Sequence, residues 1–533
     1  MTAVNENWNA AWREQMLPTL ADERWDLIVI GGGISGAGIV REAARCGWRC
    51  LLLEQRDFAW GTSSRSSKMV HGGLRYIAKG QWRLTRDSVR ERQRLLDEAP
   101  GLVEPMSFLM PHYRGGFPGP RVLGGLLSVY DALAGRRSHR FHDAQQLRFI
   151  APGLKENNLV GGTRFVDALT DDARLVMRVL REARADGAAV LNGLRVTQVL
   201  REDGRVCGVE VEDGESGNAL QLRCAVLAVA TGAWAERLRP SDSPRQLRPL
   251  RGSHLLLPGW RLPVAQALTF LHARDRRPVF VFPWEGATVV GTTDLDHRED
   301  LDQSASISGE ELDYLLAACT QAFPAAEVTA TDVLSTWAGV RPVVGAAGEH
   351  QGKPSNETRE HVLWQEPGCV TLAGGKLTTF RPQAIEVLKA CADMLGRAFE
   401  DDAAPVFAAV QPSPIPGLSP QQWRRLAGRH GRDLPRLAQL IAEVGQETVG
   451  ATDTLWVELA FACEAEMVLH LDDLLLRRTR LGLLLARGGE EHFAATRTLC
   501  QPRLAWSDDR WQAEIQRYRL LWQRDHGLPE VTP

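Results

Sequence analysis

Residues 25–54 of the 533-residue chain read WDLIVIGGGISGAGIVREAARCGWRCLLLE, and this stretch limits the fold more than any other. An apolar run of strand character, Asp26 to Ile30, feeds directly into Gly31, Gly33 and Gly36. A helix-like segment follows, then a second apolar run, Cys50 to Leu53, that ends on Glu54. The order is strand, helix, strand, terminal acid, which is a dinucleotide-binding unit. Gly31 permits the tight turn out of the strand, Gly33 lets backbone approach a pyrophosphate, and Gly36 lets the helix pack on the sheet. The helix N-terminus offers unpaired N–H groups and a positive dipole end to phosphate. Glu54 stands 23 residues after Gly31, where an acid accepts the ribose hydroxyls. That acid favours an unphosphorylated ribose, hence FAD or NAD over NADP.

The length allows two or three domains with substantial cores. A net charge of −3 gives no support to nucleic-acid binding. Nine scattered cysteines form no CxxC pair, so neither a metal site nor a disulfide framework is expected, and a reducing cytoplasmic setting fits. The N-terminus lacks the basic region and apolar core of a signal peptide, and no apolar run is long enough to span a membrane. Trp8, Trp12, Met16 and Leu20 share helical spacing. This stripe reads as a helix packed on its own protein, with a membrane-surface anchor as the alternative. Only six of the 63 basic residues are lysine, so a lysine that persists, such as Lys68 or Lys376, marks a place for a compact point charge.

Residues 61–80 read as loop and helix start, Gln81 to Leu96 as a charged helix, and 105–170 as mixed, with proline-rich loops and an apolar helix near 121–134. Asp171 to Asp186 is a further helix, followed by strands at 189–191, 195–200, 206–212 and 222–230. Residues 250–345 alternate strands with polar turns, as in an antiparallel sheet that roofs a site. After the proline-rich 411–420 the chain reads as helices. The nucleotide domain is therefore discontinuous, with a substrate domain inserted between its parts.

Three clusters carry chemistry. Residues 66–76, SSKMVHGGLRY, place a lysine, a histidine, an arginine and a tyrosine beside the cofactor loop, and Gly72 and Gly73 leave room for a flat ring. In AGGKLTTF, residues 373–380, a strand ends on two glycines and a helix opens with Lys376. Its N–H groups and ammonium suit negative charge on a reduced flavin. In WAGVRP, residues 337–342, Gly339 permits a close approach ahead of Arg341, and with Arg75 and Arg359 this arginine can form a phosphate or carboxylate site. His254, in GSH on the roof, is placed to reach the reaction centre.

Taken in order, GGGISGAG, TSSRSSKMVHGGLRY, GSHLLLP, VFPW, GTTD, AGVRP and GGKLTTF resemble the FAD-dependent glycerol-3-phosphate dehydrogenase family across residues 25–395. HLDDLLLRRTRLGL, residues 470–483, resembles the family's C-terminal cap. The resemblance implies an α/β fold: a Rossmann-like FAD-binding domain (25–104, 165–248, 346–398), an inserted antiparallel-sheet substrate domain (105–164, 249–345) and a C-terminal helical cap domain (399–533). It assigns Gly31, Gly33, Gly36, Glu54, Thr62, Ser63, Ser66, Ser67, Gly72, Gly73, Leu74, Val196, Thr231, Gly232, Gly375, Lys376, Leu377 and Thr378 to FAD. Arg75, Tyr76, Arg341, Arg359 and Lys376 would surround substrate. His71, Arg341, Lys376 and His254 would form the catalytic set, with His71 the base and His254 its rival. The implied reaction is oxidation of sn-glycerol 3-phosphate to dihydroxyacetone phosphate by hydride transfer to flavin N5. A quinone is the implied acceptor, at the inner face of the cytoplasmic membrane, and the implied assembly is a homodimer. Alternatives are an oxidase using oxygen, whose family members carry an inserted segment not found here, an amino-acid or amine oxidase, and a non-enzymatic flavin carrier.

Overall fold

Two sheets and a helical C-terminal part make up the molecule. The computed structural model describes residues 7–77, 80–239, 247–345, 361–401, 403–410 and 413–529. The first sheet runs in the order His361–Glu366, Cys369–Gly374, Ala219–Val229, Arg24–Ile30, Cys50–Leu53 and Ala189–Leu191. Its central pairings are parallel, with Ile30 beside Leu53 and Val229. A parallel sheet is covered on both faces, which is why these strands are continuous apolar runs. Leu27, Val29 and Leu52 face one core with helices Ile34–Arg45, Asp172–Ala185 and Phe380–Leu395. Ile28, Ile30, Leu51 and Leu53 face another. That second core includes the hairpin Leu194–Glu202 and Arg205–Asp213, which Asp203 and Gly204 turn with positive φ.

Among the described residues the second sheet has ten strands, antiparallel except where Ala267–Leu271 runs beside Val103–Tyr113. Its roof end pairs Leu247–Pro258 with Ala287–Gly291 on one side and Ser335–Val344 on the other. The region expected to be mixed and loop-rich contains two of its longest strands, Val103–Tyr113 and Leu159–Thr170. Prolines 105 and 111 obscured the first of these. Both prolines stand in the ladder with Leu159–Thr170, opposite Ala168 and Gly162, and outside the two positions, Phe108 and Leu109, at which Ala267–Leu271 pairs on the other side. Leu159–Thr170 also crosses the boundary expected at residue 164/165.

At the N-terminus, Asn9 caps the helix Ala10–Met16, and Trp8 and Leu20 are fully buried. Trp8 Nε1 donates to the carbonyl of Val190 at 3.0 Å. Trp12 and Met16 are partly buried against the same cores, so the stripe packs on the protein itself.

Of the C-terminal helices, Pro420–His430 packs with Leu434–Val444 and one face of Trp456–Ala465, while the other face of Trp456–Ala465 and Asp508–His526 share a core with the second sheet. They are also pinned to the first. Arg478 donates to both carboxylate oxygens of Asp57 at 2.7 Å, and Arg480 pairs with Asp171 at 3.0 Å and with Asp172. Among the described residues no helix is long and apolar enough to cross a membrane.

Candidate active site

A cleft of about 410 Å³ opens at the C-terminal ends of the parallel strands. Open α/β sheets bind ligands at this edge. Gly31 has φ +109°, and a Cβ there would sit 2.6 Å from the carbonyl oxygen of Ala230. A Cβ on Gly36 would sit 1.9 Å from the carbonyl oxygen of Gly31, so Gly36 serves helix packing and lies beneath the cleft. Gly33 precedes the helix in extended conformation, and the first helical N–H, that of Ile34, donates to Ser63 Oγ at 3.0 Å. Glu54 accepts from the N–H groups of Gly32 (2.7 Å) and Arg56 (2.9 Å), while burial pushes its carboxyl above the ordinary range.

Of the residues expected at the cofactor, Gly31, Gly33, Glu54, Thr62, Ser63, Ser66, Val196, Thr231, Gly232, Gly375, Lys376 and Leu377 line this cleft. Close-approach glycines, a helix N-terminus and a ribose acid at one end, with a Gly-Gly-Lys turn at the other, form a donor set that fits FAD.

The roof meets this second end. Gly252 pairs with Gly339, His254 with Trp337 and Leu250 with Arg341, so all six share one sheet face. The Arg341 guanidinium lies over Gly252, where a Cβ would come within 2.3 Å of it, and donates to Thr292 Oγ1 at 3.1 Å. His254 is buried, stacked on Trp337 at 4.9 Å, with Nε2 2.8 Å from Ser67 Oγ. Its Nδ1 has no hydrogen-bond partner among the described residues. Burial, followed by the charges of Arg341 and Lys68, holds this imidazole well below its ordinary pKa, so it is neutral. Segment 61–68 is stitched across the roof: Thr62 Oγ1 donates to the carbonyl of Val340, and Trp337 Nε1 to that of Ser66.

The His71 loop meets the Gly-Gly-Lys turn. The N–H of His71 donates to Thr378 Oγ1 at 3.3 Å. Gly72 has a different neighbour from the flat ring expected. Its N–H donates to Tyr130 Oη (3.0 Å) and Asp167 (3.2 Å), and a Cβ would strike Tyr130 and Val89. Gly73 has φ +78°, and the short helix Leu74–Ile77 follows. Arg75 and Tyr76 lie in that helix with side chains outside the description, and Arg359 lies outside the described residues.

One buried cluster was not anticipated as a set. The Lys68 ammonium donates to the carbonyl of Ser64 (2.7 Å) and to Asp172 (2.8 Å), and sits 4.8 Å from the Trp337 ring. Asp172 also accepts from the N–H (3.0 Å) and hydroxyl (2.6 Å) of Ser66, a residue of the cleft wall. Burial, then the charge of Arg480, pushes Lys68 down to about 8. The scarcity of lysine pointed to Lys68; no sequence signal pointed to its partners.

A family model described as FAD dependent oxidoreductase matches residues 26–381, and one described as the C-terminal domain of alpha-glycerophosphate oxidase matches 369–511. The aerobic glycerol-3-phosphate dehydrogenase of Staphylococcus haemolyticus is 32% identical over 502 residues, covering 88% of both chains. Glycerol-3-phosphate dehydrogenase 2 of Mycobacterium tuberculosis is 34% identical, covering 95% of this chain and 89% of its own. The crystal structure of the glycerol-3-phosphate dehydrogenase of Bacillus halodurans, solved with FAD, superposes with a TM-score of 0.78 at 27% identity, covering 98% of this chain and 99% of that one.

Proposed function

Since the chain belongs to the FAD-dependent glycerol-3-phosphate dehydrogenase family and uses FAD, we propose that it oxidises sn-glycerol 3-phosphate to dihydroxyacetone phosphate and delivers the electrons to a quinone. The observation that carries this reading is a convergence: the roof face of His254 and Arg341, the His71 loop and the Gly375–Thr378 turn meet at one end of the dinucleotide cleft.

Arg341 binds the phosphate together with Arg75 and Arg359, because the guanidinium fork matches a phosphate, and Tyr76 is a further substrate contact. This fixes C2 and its hydroxyl at the Gly-Gly-Lys turn, and positioning by remote binding supplies much of the rate. His71 takes the hydroxyl proton as a histidine base suited to neutral pH. His254, neutral and buried, orients Ser67 and leaves the centre free of a competing cation. Lys376 and the N–H groups behind it would hold the flavin end of FAD and supply positive potential there. FAD, when bound, supplies the acceptor for the hydrogen and electron pair leaving C2.

Anaerobic addition of glycerol 3-phosphate is expected to bleach the bound flavin, and an unbleached flavin would sink the substrate assignment. His71→Asn is expected to slow bleaching about 100-fold or more, and His254→Asn much less. The reverse order would transfer the base to His254. Arg341→Ala is expected to raise KM by at least about tenfold through loss of a charged hydrogen-bond partner.

For the acceptor we place the enzyme, as a homodimer, against the inner face of the cytoplasmic membrane. Support comes from residues 114–140. Arg114, Arg121, Arg136, Arg137 and Arg140 are exposed there, as are Phe117 (68%) and Val122 (49%). The single acid of that stretch, Asp131, is buried and turned to Ser138 and His139. The glycerophosphate-oxidase C-terminal match favours oxygen as a second reading. Oxygen uptake without added quinone decides between the two.

A further inference from the structure

The two walls of the cofactor cleft are joined by a loop that belongs to neither. Trp60 and Trp234 both line the cleft and face each other at 5.9 Å. Residues 300–305, between the edge strand Leu295–Asp296 and the helix Gly309–Ala322 of the second sheet, reach across to both sides. On one side, Asp302 Oδ1 accepts from Trp234 Nε1 (3.1 Å) and from Arg237 (2.7 Å), and Asp300 accepts from Arg237 (3.2 Å). On the other, Arg56 donates to the carbonyl of Asp302 and stacks on Trp60 at 4.0 Å, while Arg65 donates to Ser304 Oγ (3.0 Å).

We propose that residues 300–305 form a strap that retains the cofactor in its cleft, with Asp302 as the pin. Trp234 and Arg237 are wall residues, and one carboxylate oxygen holds both. Release of the cofactor then requires the walls to part, which breaks these bonds. The pin is an exposed ion pair, with side-chain exposures of 43% for Arg237 and 37% for Asp302, so salt weakens it. A buried latch would not respond in that way. Asp302 does not itself line the cleft, so its effect on the cofactor acts through Trp234 and Arg237.

The test is the rate of FAD release from oxidised holoenzyme without substrate, read as the gain in free-flavin fluorescence after transfer to FAD-free buffer. This readout does not depend on which substrate or acceptor the enzyme uses. Asp302→Ala is expected to release FAD about tenfold faster than wild type, since it loses two charge- or dipole-matched hydrogen bonds at once. Asp302→Asn keeps an acceptor for Trp234 but loses the charge opposite Arg237, and is expected to fall between. About 1 M salt should speed release from wild type and leave Asp302→Ala nearly unchanged. Equal release from wild type and Asp302→Ala, or an equal salt response in both, would overturn the strap. If Asp302→Ala does not fold, the wild-type salt titration decides alone, and salt-independent release overturns it.

Discussion

At the scale of single residues, Lys68 shows what a compact cation does that an arginine does not. It is fully buried with φ +58°, and its ammonium fits between Ser64, Asp172 and the indoles of Trp284 and Trp337. Lys68→Met leaves Asp172 with less compensation in a dry site and is expected to cost about 3 kcal/mol in urea unfolding. Lys68→Arg keeps the charge but overfills the space, at a cost of about 1–3 kcal/mol. A wild-type midpoint for Lys68→Arg would remove the size argument. The sequence exposed this residue because lysine is rare in the chain. Gly31, Gly36 and Glu54 were equally legible, because each is constrained by neighbours within one β–α–β unit. Asp57, Asp172 and Arg478 were not legible. Their partners lie up to 421 residues away, and a buried acid looks like an exposed one until the fold joins them.

At the scale of elements, the helix Pro120–Ala134 does two jobs with two faces. Inward, Tyr130 joins Arg92 and Asp167 in holding Gly72, next to His71. Outward, Val122 and Val129 are exposed beside the basic stretch described above. An anionic bilayer suits that outer face, since each arginine near such a surface contributes about 1 kcal/mol. Wild type is expected to sediment with phosphatidylglycerol vesicles and hardly with phosphatidylcholine. Arg136→Gln with Arg137→Gln should weaken binding about 30-fold. Unchanged sedimentation would place the contact elsewhere. The helix itself was legible from its apolar spacing, and most strands of the first sheet were legible from continuous apolar runs. Strand Val103–Tyr113 was hidden by its prolines. The order of the second sheet was hidden too, because sequence pattern reports burial and not which strand is the neighbour.

At the scale of the whole molecule, the C-terminal helices act less as a cap than as a bolt. Arg174 pairs with Glu466, Arg429 with Asp171, and Arg478 with Asp57, all buried, so the nucleotide sheet and the C-terminal helices are expected to unfold together. His470 makes this union sensitive to pH. It lies 3.0 Å from Glu215, beyond strand Arg205–Asp213 of the nucleotide sheet, and 3.0 Å from Glu514 on the last helix. Burial opposes its charge, but the hydrogen bonds to Glu215 and Glu514 outweigh burial and push it up to about 10. A raised pKa means that the folded state holds a proton which the unfolded state releases near pH 6.5. The stabilisation is therefore complete below pH 6.5 and declines as pH rises towards about 10. With 31% of the side chain exposed, salt screens part of it. His470→Gln is expected to lower the thermal midpoint by about 2 °C at pH 6 and to leave it unchanged at pH 10. A deficit of the same size at both pH values would mean that the imidazole acts by packing and not by charge.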